Sequence, residues 1–349
     1  MLNKYDSKPM KLHLFQEFLK ISKIDLVILV HPDPNIIYFA QAKPSYCLAL
    51  IYPTKSELYV SKLDAVNKHF KVLPKDWKKE FSKIKAKKIG INKESLTLSF
   101  YETLKNIFKA EFVDISDQIM KLRQIKTPEE IDKITKASEI TSSVFDKTVA
   151  ELKKNRFKTE LQVANFIDNN IKELGGELAF PTIVAMGKNA AIPHHITSQN
   201  KLSKGFLLMD FGASYHNYCS DMTQVVYLGK PSQEEKEIYN LLLKVQEKAI
   251  NSVKSHLSLS ELDKQVRKDL GKYSSNFIHS LGHGVGIEVH ESPRISPESK
   301  EVVQKNQVFT IEPGIYFHNK FGLRMEDTLW FDGSKSIVLT KVRKELIII

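Results

Sequence analysis

Acidic residues interrupt apolar, strand-like sequence at four places in the C-terminal part of the chain. Asp210 ends the run FLLM and Asp221 precedes MTQVVYL, while Glu312 follows FTI and Glu326 follows GLRM. Acidic residues form strands poorly and are seldom buried unless they are paired or bind a cation. Turn-forming residues separate the members of each pair. The sequence therefore predicts two strand pairs, each with two carboxylates brought together on one face.

Four buried carboxylates in one site would repel one another, and divalent cations relieve such repulsion. Four carboxylates and one imidazole suit Mn²⁺, Co²⁺, Fe²⁺ or Zn²⁺. The stretch HSLGHGVGIEVHESP supplies His279, His283 and His290 among three glycines. Two such pairs together with the glycine-flanked His283 predict a two-metal centre that activates water for hydrolysis.

Other catalytic arrangements fit the sequence less well. His279 and His283 have the spacing of an HExxH zinc helix, but residue 280 is serine, and Gly282 and Gly284 oppose a helix. No GxSxG motif is present. The two cysteines, Cys47 and Cys219, have no CxxC partner, which indicates a reducing compartment rather than disulfide chemistry or a thiolate metal site.

Length and charge limit the remaining classes of protein. The 349 residues suit two domains, and 52 basic against 41 acidic residues give a net charge of +11. The densest basic run, 75–88, is broken by Glu80, Phe81 and Ile84, so we interpret it as the solvated face of a helix and expect no nucleic-acid partner. The N-terminus lacks the apolar core of a signal peptide and no 18-residue apolar window occurs, so we expect a cytoplasmic protein without membrane contact.

The first third of the chain alternates helical and strand-like patterns, which predicts an α/β domain over residues 1–122. The runs DLVILV, NIIYFA, YCLALIYP, SELYVS and KKIGIN are predicted strands, and KLHLFQEFLKIS and TLSFYETLKNIFK are predicted helices. A second domain, residues 123–349, begins with a helix for which Thr127 is the predicted N-cap, Pro128 the first residue, and Glu130 the partner in a capping box.

The segments MDFGASYHNYCSDMTQ, HSLGHGVGIEVHESP, FTIEPGIYF and GLRMEDTLWF together resemble the pita-bread metallopeptidases. That family includes methionine aminopeptidases, Xaa-Pro aminopeptidases and Xaa-Pro dipeptidases (prolidases). The resemblance implies an α+β fold, with a pita-bread catalytic domain over 123–349 and a smaller creatinase/prolidase-type α/β domain over 1–122. Methionine aminopeptidases usually lack that smaller domain, so the Xaa-Pro branch is favoured.

The resemblance also implies roles for individual residues. The implied metal ligands are Asp210, Asp221, His283, Glu312 and Glu326, with Asp221 and Glu326 bridging two ions. Glu312 could in addition relay a proton to the leaving nitrogen. His194 and His290 match substrate-side histidines, and Arg324 matches an arginine that supports the metal site. His279 matches a substrate-side histidine, and a structural role fits it equally well.

Further expectations follow from the same resemblance. We expect two divalent ions, Mn²⁺ or Co²⁺, with Zn²⁺ and Fe²⁺ also compatible, and a homodimer. The expected substrate is a proline-containing peptide, with an Xaa-Pro dipeptidase favoured and an Xaa-Pro aminopeptidase as the alternative. A non-enzymatic binding protein of the same fold is the remaining possibility, which the intact ligand set disfavours. Two residues depart from the family pattern: Gln224 replaces a common arginine and Asn217 a common glycine. His195, His216 and His318 are interpreted as ordinary loop histidines.

Overall fold

The computed structural model describes residues 10–64 and 70–349. Residues 1–9, which carry most of the N-terminal stretch considered for a signal sequence, lie outside the described residues. The chain divides into two compact units, Met1–Leu122 and Arg123–Ile349. Within the described ranges, no helix combines the length and the apolar character needed to cross a membrane.

The first unit consists of one mixed sheet and the helices around it. Its described elements are α1 (Met10–Ile21), β1 (Leu26–Val30), α2 (Pro34–Ala40), β2 (Cys47–Ile51), β3 (Ser56–Val60), β4 (Lys71–Val72), α3 (Trp77–Phe81), β5 (Lys88–Ile91), α4 (Leu98–Ile107), β6 (Glu111–Asp114) and α5 (Ser116–Gln124). The strand order is β4-β3-β2-β1-β5-β6. β1 and β2 are buried along their whole length, as their continuous apolar sequences predict.

Two predictions for this unit are wrong in part. The run NIIYFA forms helix α2 instead of a strand, because Asp33 accepts a hydrogen bond from the backbone nitrogen of Asn35 and Pro34 occupies the first turn. The helix is therefore indicated by its capping residues and not by the short apolar run. The basic run 75–88 is helical only over Trp77–Phe81, and Lys88 already begins β5.

The second unit contains two larger sheets, two small ones and four helices among its described residues. Its elements are α6 (Pro128–Lys153), α7 (Glu160–Glu173), β7 (Glu177–Leu178), β8 (Ile183–Met186), β9 (Gly205–Phe211), β10 (Ala213–Tyr215), β11 (Tyr218–Cys219), β12 (Met222–Leu228), α8 (Gln233–Ser252), α9 (Leu259–Asp269), β13 (Gly282–Gly284), β14 (Glu291–Ile295), β15 (Val308–Ile311), β16 (Gly314–Phe317), β17 (Phe321–Arg324), β18 (Asp327–Phe331), β19 (Ser336–Val338) and β20 (Ile347–Ile348). The larger sheets have the orders β20-β12-β9-β8 and β14-β13-β15-β18-β19.

The same hairpin arrangement occurs once in each larger sheet. β9 pairs antiparallel with β12, and the chain between them forms the small hairpin β10–β11. β15 pairs antiparallel with β18, and the chain between them forms the small hairpin β16–β17. The two predicted strand pairs are therefore confirmed, and each acidic pair lies where an outer hairpin gives way to an inner one.

Helices cover the sheets and supply the apolar core. α6 begins with the predicted capping box, in which Thr127 and Glu130 satisfy each other's backbone nitrogens. Apolar residues of α6 and α7 pack with those of β8, β9 and β12, and α8 and α9 pack with β15 and β18. The sheets that carry the acidic residues are thus stabilised by packing against the apolar faces of these helices.

Candidate metal centre and active site

Strand register brings the two members of each acidic pair together. Phe211 is opposite Met222 in the β9–β12 pair, which places Asp210 and Asp221 at the same end of that ladder. Ile311 is opposite Asp327 in the β15–β18 pair, so the adjoining Glu312 and Glu326 also lie at one end. Two hairpins of different sheets thus present four carboxylates.

Direct hydrogen bonds join the two acidic pairs into one site. The backbone nitrogen of Glu326 donates to the carbonyl oxygen of Thr223 (2.9 Å), and the Thr223 hydroxyl donates to Glu326 Oε2 (2.7 Å). Possible ligand atoms of Asp210, Asp221 and Glu326 lie within 4.8 Å of one another, and so do those of His283, Glu312 and Glu326. All five predicted ligands therefore converge.

His283 enters this cluster from β13. Its Nε2 lies 3.6 Å from Asp221 Oδ2, 3.5 Å from Glu312 Oε1 and 3.8 Å from Glu326 Oε1. The neighbouring glycines allow this approach: a Cβ atom on Gly282 would lie 2.1 Å from the backbone oxygen of Thr310, and one on Gly284 would lie 2.1 Å from that of Ser292. The glycines of HSLGHGVG therefore permit close strand packing on both sides of His283.

Three carboxylates of this cluster, those of Asp221, Glu312 and Glu326, have raised pKa values. Burial, followed by the nearby charges of other acidic residues, raises the pKa of Asp221 and of Glu312 well above the usual values. Burial and the charge of Asp210 raise the pKa of Glu326 to about 8. Burial lowers the pKa of His283 to about 3, so its imidazole is neutral at neutral pH, as metal ligation requires.

Two buried oxygen atoms in the acidic cluster indicate that divalent cations would fit there. Within the described residues, Asp221 Oδ1 and Glu326 Oε1 are buried and have no hydrogen-bond partner. Buried oxygens of this kind are costly unless something else satisfies them. A donor set of four carboxylates and a neutral imidazole, with two orphaned oxygens inside it, fits divalent cations.

Arg324 supports the acidic cluster from β17. Its side chain is 5% exposed and donates to Asp210 Oδ2 (2.5 Å), to the Thr223 hydroxyl (2.9 Å) and to the Tyr316 hydroxyl (2.9 Å). Burial alone would lower the pKa of Arg324, but Tyr316, Asp210 and the other nearby groups raise it, so the guanidinium stays charged. Arg324 therefore fixes Asp210 and offsets part of the negative charge.

His279 makes contacts suited to a supporting role. Its Nε2 lies 2.9 Å from the Tyr316 hydroxyl, its Nδ1 lies 2.8 Å from the carbonyl oxygen of Ser280, and Nδ1 is 3.8 Å from Glu312 Oε2. Burial, followed by the charge of Arg324, lowers its pKa to about 4. Hydrogen bonds thus connect Arg324 to Tyr316 and Tyr316 to His279, and His279 in turn lies close to Glu312.

His194 and His290 lie on the open side of the site. Both residues are exposed. The His290 ring is 4.3 Å from that of His283, centroid to centroid, and its ring nitrogen lies within 4.8 Å of possible ligand atoms of Asp221 and His283. Burial is the main cause of the lowered pKa values of His279 and His290, and the nearby imidazole of His194 contributes to both. The predicted substrate-side histidines are therefore brought beside the acidic cluster.

The remaining predicted features have local structural explanations. His216 and Asn217 both have left-handed backbone (φ 47° and 66°) in the two-residue turn between β10 and β11. Asparagine tolerates this conformation better than most residues other than glycine, so it suits the position of the common glycine. Gln224 is buried and its amide donates to the backbone oxygen of Glu326 (3.3 Å). His318 is exposed in the turn between β16 and β17. His195 lies in a loop as expected, but it is half-buried and bonded to Glu160.

Sequence patterns did not single out several residues that contact the site. Thr223 and Tyr316 are ordinary strand residues in composition, and only the fold shows that they bond Glu326, Arg324 and His279. The position of Thr223, two residues after a candidate ligand on one face of a strand, was the available signal.

Glu291, next to His290, is a further residue that sequence reasoning missed. It forms buried ion pairs with Arg123 and with Lys126 (Nζ to Oε1 2.7 Å). Burial opposes its ionisation, but Lys126 and Arg123 outweigh burial and lower its pKa. The strand that follows His290 is thereby anchored to the segment at which the second unit begins.

Comparison with known proteins agrees with this geometry. Residues 132–332 match the family model of metallopeptidase family M24, and residues 11–125 match the creatinase/prolidase N-terminal domain. The chain belongs to metallopeptidase family M24, whose members depend on divalent metal ions. The predicted family is therefore confirmed.

Individual relatives match over almost their whole length. An Xaa-Pro dipeptidase of Pyrococcus horikoshii is 37% identical, with 95% of this chain and 97% of the relative covered. The crystal structure of the prolidase from Pyrococcus horikoshii OT3 superposes with a TM-score of 0.90 at 34% identity, over 97% of this chain and 100% of that one. An X-Pro aminopeptidase of Thermotoga maritima gives a TM-score of 0.90 at 31% identity, over 97% and 99%. The predicted pita-bread fold with a creatinase-type N-terminal domain is confirmed.

Proposed function

We propose that this protein is a metal-dependent Xaa-Pro dipeptidase with a two-metal centre. The observation that carries the proposal is the convergence of Asp210, Asp221, His283, Glu312 and Glu326 around two buried oxygens that lack a hydrogen-bond partner among the described residues. Near full-length similarity to an Xaa-Pro dipeptidase supports the choice of substrate.

Those five residues would hold the two ions. Manganese or cobalt suits the oxygen-rich set best, and zinc or iron is also compatible. When bound, such ions supply Lewis-acid polarisation of the scissile carbonyl and an activated water at neutral pH. The two oxygens without a hydrogen-bond partner, on Asp221 and Glu326, would gain one in the bound ions.

The other side chains would act on the substrate directly. His194 and His290, exposed beside the cluster, would donate hydrogen bonds to the oxygen on which negative charge develops. Glu312 would pass a proton to the leaving proline nitrogen in addition to its ligand role. Arg324 would keep the Asp210 carboxylate oriented through their buried hydrogen bond.

Arg294 offers a reason for dipeptide selectivity. It is opposite His283 in the β13–β14 ladder, so the two side chains share one face of the sheet. Arg294 is exposed, and its Nε donates to the Ser280 hydroxyl (2.9 Å). A guanidinium on the face of the metal cluster would bind the free carboxylate of an Xaa-Pro dipeptide.

Hydrolysis of Ala-Pro, Ala-Pro amide and Ala-Pro-Ala, with Mn²⁺ present, tests this function. We expect Ala-Pro to be cleaved best, and Arg294→Ala to lower its kcat/KM by about 10- to 100-fold, since hydrogen bonds to charged groups contribute about 1.5–3 kcal/mol. The matched control is Arg343→Ala, which removes an exposed arginine from the same unit. Preferred cleavage of the tripeptide would instead indicate an aminopeptidase, the alternative that the Thermotoga relative keeps open.

Three broader assignments rest on sequence composition and on the family resemblance. We propose that the protein is a cytoplasmic homodimer, and that residues 1–122 and 123–349 are its accessory and catalytic domains. Sedimentation of the purified protein would test the oligomeric state, with a dimer as the expected result and a monomer as the contradiction.

A further inference from the structure

The segment that carries His194 has little regular structure of its own. It follows β8, passes through a 3-10 turn at Gly187–Ala191, and continues without a helix or strand until β9 begins at Gly205. A side chain on such a segment is placed accurately only if other residues hold the backbone. The position of His194 therefore depends on the contacts that hold the segment on each side of it.

Glu160, the first residue of α7, is bonded to this segment at three points and to Met186, the last residue of β8, at a fourth. Its Oε1 accepts hydrogen bonds from the backbone nitrogen of Met186 (2.7 Å) and from Asn189 Nδ2 (2.7 Å). Its Oε2 contacts His195 Nε2 (3.0 Å) and accepts a longer bond from Asn200 Nδ2 (3.4 Å). Two of these partners precede His194 in the chain and two follow it.

The burial of Glu160 makes this anchor more than a surface contact. Its relative exposure is 0%. A buried carboxylate is tolerated only where donors compensate for lost water, and the four donors do so here. Backbone bonds reinforce the junction, because the nitrogens of Glu160 and Leu161 donate to the carbonyl oxygens of Asn200 (2.9 Å) and Ser198 (3.0 Å).

The anchored segment also packs against the strand that carries Arg324. A Cβ atom on Gly322 of β17 would lie 1.9 Å from the backbone oxygen of Ala190, so only glycine allows this approach. The segment is thus held between α7 on one side and β17 on the other, with His194 exposed beside His279 and His290.

We propose that Glu160 is a positioning residue, which holds His194 where it can act on the substrate. This inference rests on the proposed function, because it takes His194 to contact the substrate. Among the described residues, the hydrogen bonds of the Glu160 side chain go to Met186, Asn189, His195 and Asn200, none of which is a proposed metal ligand. Its loss should therefore affect turnover through His194 and leave metal content unchanged.

A double-mutant cycle on the metal-loaded enzyme tests this coupling. We expect Glu160→Ala to lower kcat for an Xaa-Pro dipeptide by about 10- to 100-fold, the range found for residues that orient others at metal sites. The double variant Glu160→Ala/His194→Ala should then be as active as His194→Ala alone, within about twofold, because the anchor has nothing left to position. Multiplication of the two losses would overturn the proposal.

Hydrogen exchange gives a readout that does not depend on activity. We expect Glu160→Ala to speed exchange in residues 186–200, while exchange elsewhere and the bound metal per chain stay at wild-type values. Glu160→Gln, which keeps one acceptor oxygen, should show a smaller effect. The matched control is Glu173→Ala, an exposed glutamate at the other end of α7. Unchanged exchange in this segment, or loss of metal, would overturn the proposal.

A second variant covers the case in which Glu160→Ala does not fold, and the two readouts separate the role of His194 from that of Glu160. If Glu160→Ala does not fold, Asn189→Ala removes one donor from the segment instead, and we expect faster exchange there with a smaller loss of kcat. Full activity of His194→Ala would count against the proposed role of His194, whereas the exchange result reports on Glu160. The two failures are therefore distinguishable.

Discussion

At the scale of single residues, the proposed metal ligands are acidic residues in an unusual, apolar sequence context. The residues that support them are of types common in strands. Acidic residues within apolar strands are improbable, so Asp210, Asp221, Glu312 and Glu326 could be singled out from sequence. Thr223 could not, because a threonine in a strand is unremarkable, and its bond to Glu326 depends on how two sheets meet.

Arg324→Lys tests the supporting role of the arginine. A lysine ammonium cannot reproduce the fork that contacts Asp210, Thr223 and Tyr316, so we expect metal affinity to fall by about 10- to 100-fold. Competition with a chromogenic chelator measures the affinity. The control is Arg343→Lys at an exposed arginine. An affinity within about twofold of wild type would contradict this account of Arg324.

At the scale of elements, sequence patterns predicted the structure well where the structure depends on contacts between residues close in sequence, such as helix caps and turns. The capping box at Thr127 and Glu130 correctly began α6, and alternating turns and apolar runs predicted both outer hairpins. NIIYFA was misassigned because a short apolar run fits either a strand or a helix, and the Asp33-Pro34 cap decided it. The inner hairpins and the Glu160 anchor depend on long-range packing that no local pattern shows.

Glu291 connects β14, and with it His290, to the start of the second unit. Glu291→Ala would remove the carboxylate that forms ion pairs with Arg123 and Lys126. The side chains of Arg123 and Lys126 are only 5% and 1% exposed, so water cannot replace that carboxylate. We expect the free energy of unfolding to fall by about 3–5 kcal/mol, as for other broken buried ion pairs. Urea denaturation of the metal-loaded protein measures it.

An exposed ion pair provides the comparison for Glu291. Glu345 pairs with Arg343 where both side chains are more than two-thirds exposed. Glu345→Ala should therefore change the free energy of unfolding by less than about 1 kcal/mol. Equal effects of the Glu291 and Glu345 substitutions would show that the buried cluster does not anchor β14.

At the scale of the whole molecule, the acidic centre links stability to pH and metal. Folding raises the pKa of Glu326 from 4.5 to about 8, so protonated Glu326 favours the folded protein. The stability from this group is fully present below pH 4.5 and is lost as pH rises through about 8. Asp221 and Glu312, whose pKa values are also raised, act in the same direction.

Below about pH 6.5 the histidines with lowered pKa values, His279, His283 and His290, oppose this trend. The melting temperature of the metal-free protein should therefore fall between pH 6.5 and pH 8.5. Mn²⁺ should raise it more strongly at the higher pH, because the ligands must lose their protons to bind a cation. Scanning calorimetry with and without Mn²⁺ measures both trends. Glu326→Gln, which cannot ionise, should flatten the fall. A metal-free melting temperature that rises steadily over this pH range would contradict the description of the cluster.

The central claim is that five side chains hold two divalent ions on which hydrolysis of an Xaa-Pro bond depends. The most direct test is to titrate the chelator-treated protein with Mn²⁺ and to measure bound metal and Ala-Pro hydrolysis on the same samples. We expect no turnover without metal and full turnover at two bound ions per chain, and we expect Glu326→Ala to lose both metal binding and turnover. Turnover that persists in the metal-free protein, or metal binding that survives in Glu326→Ala with full activity, would contradict it.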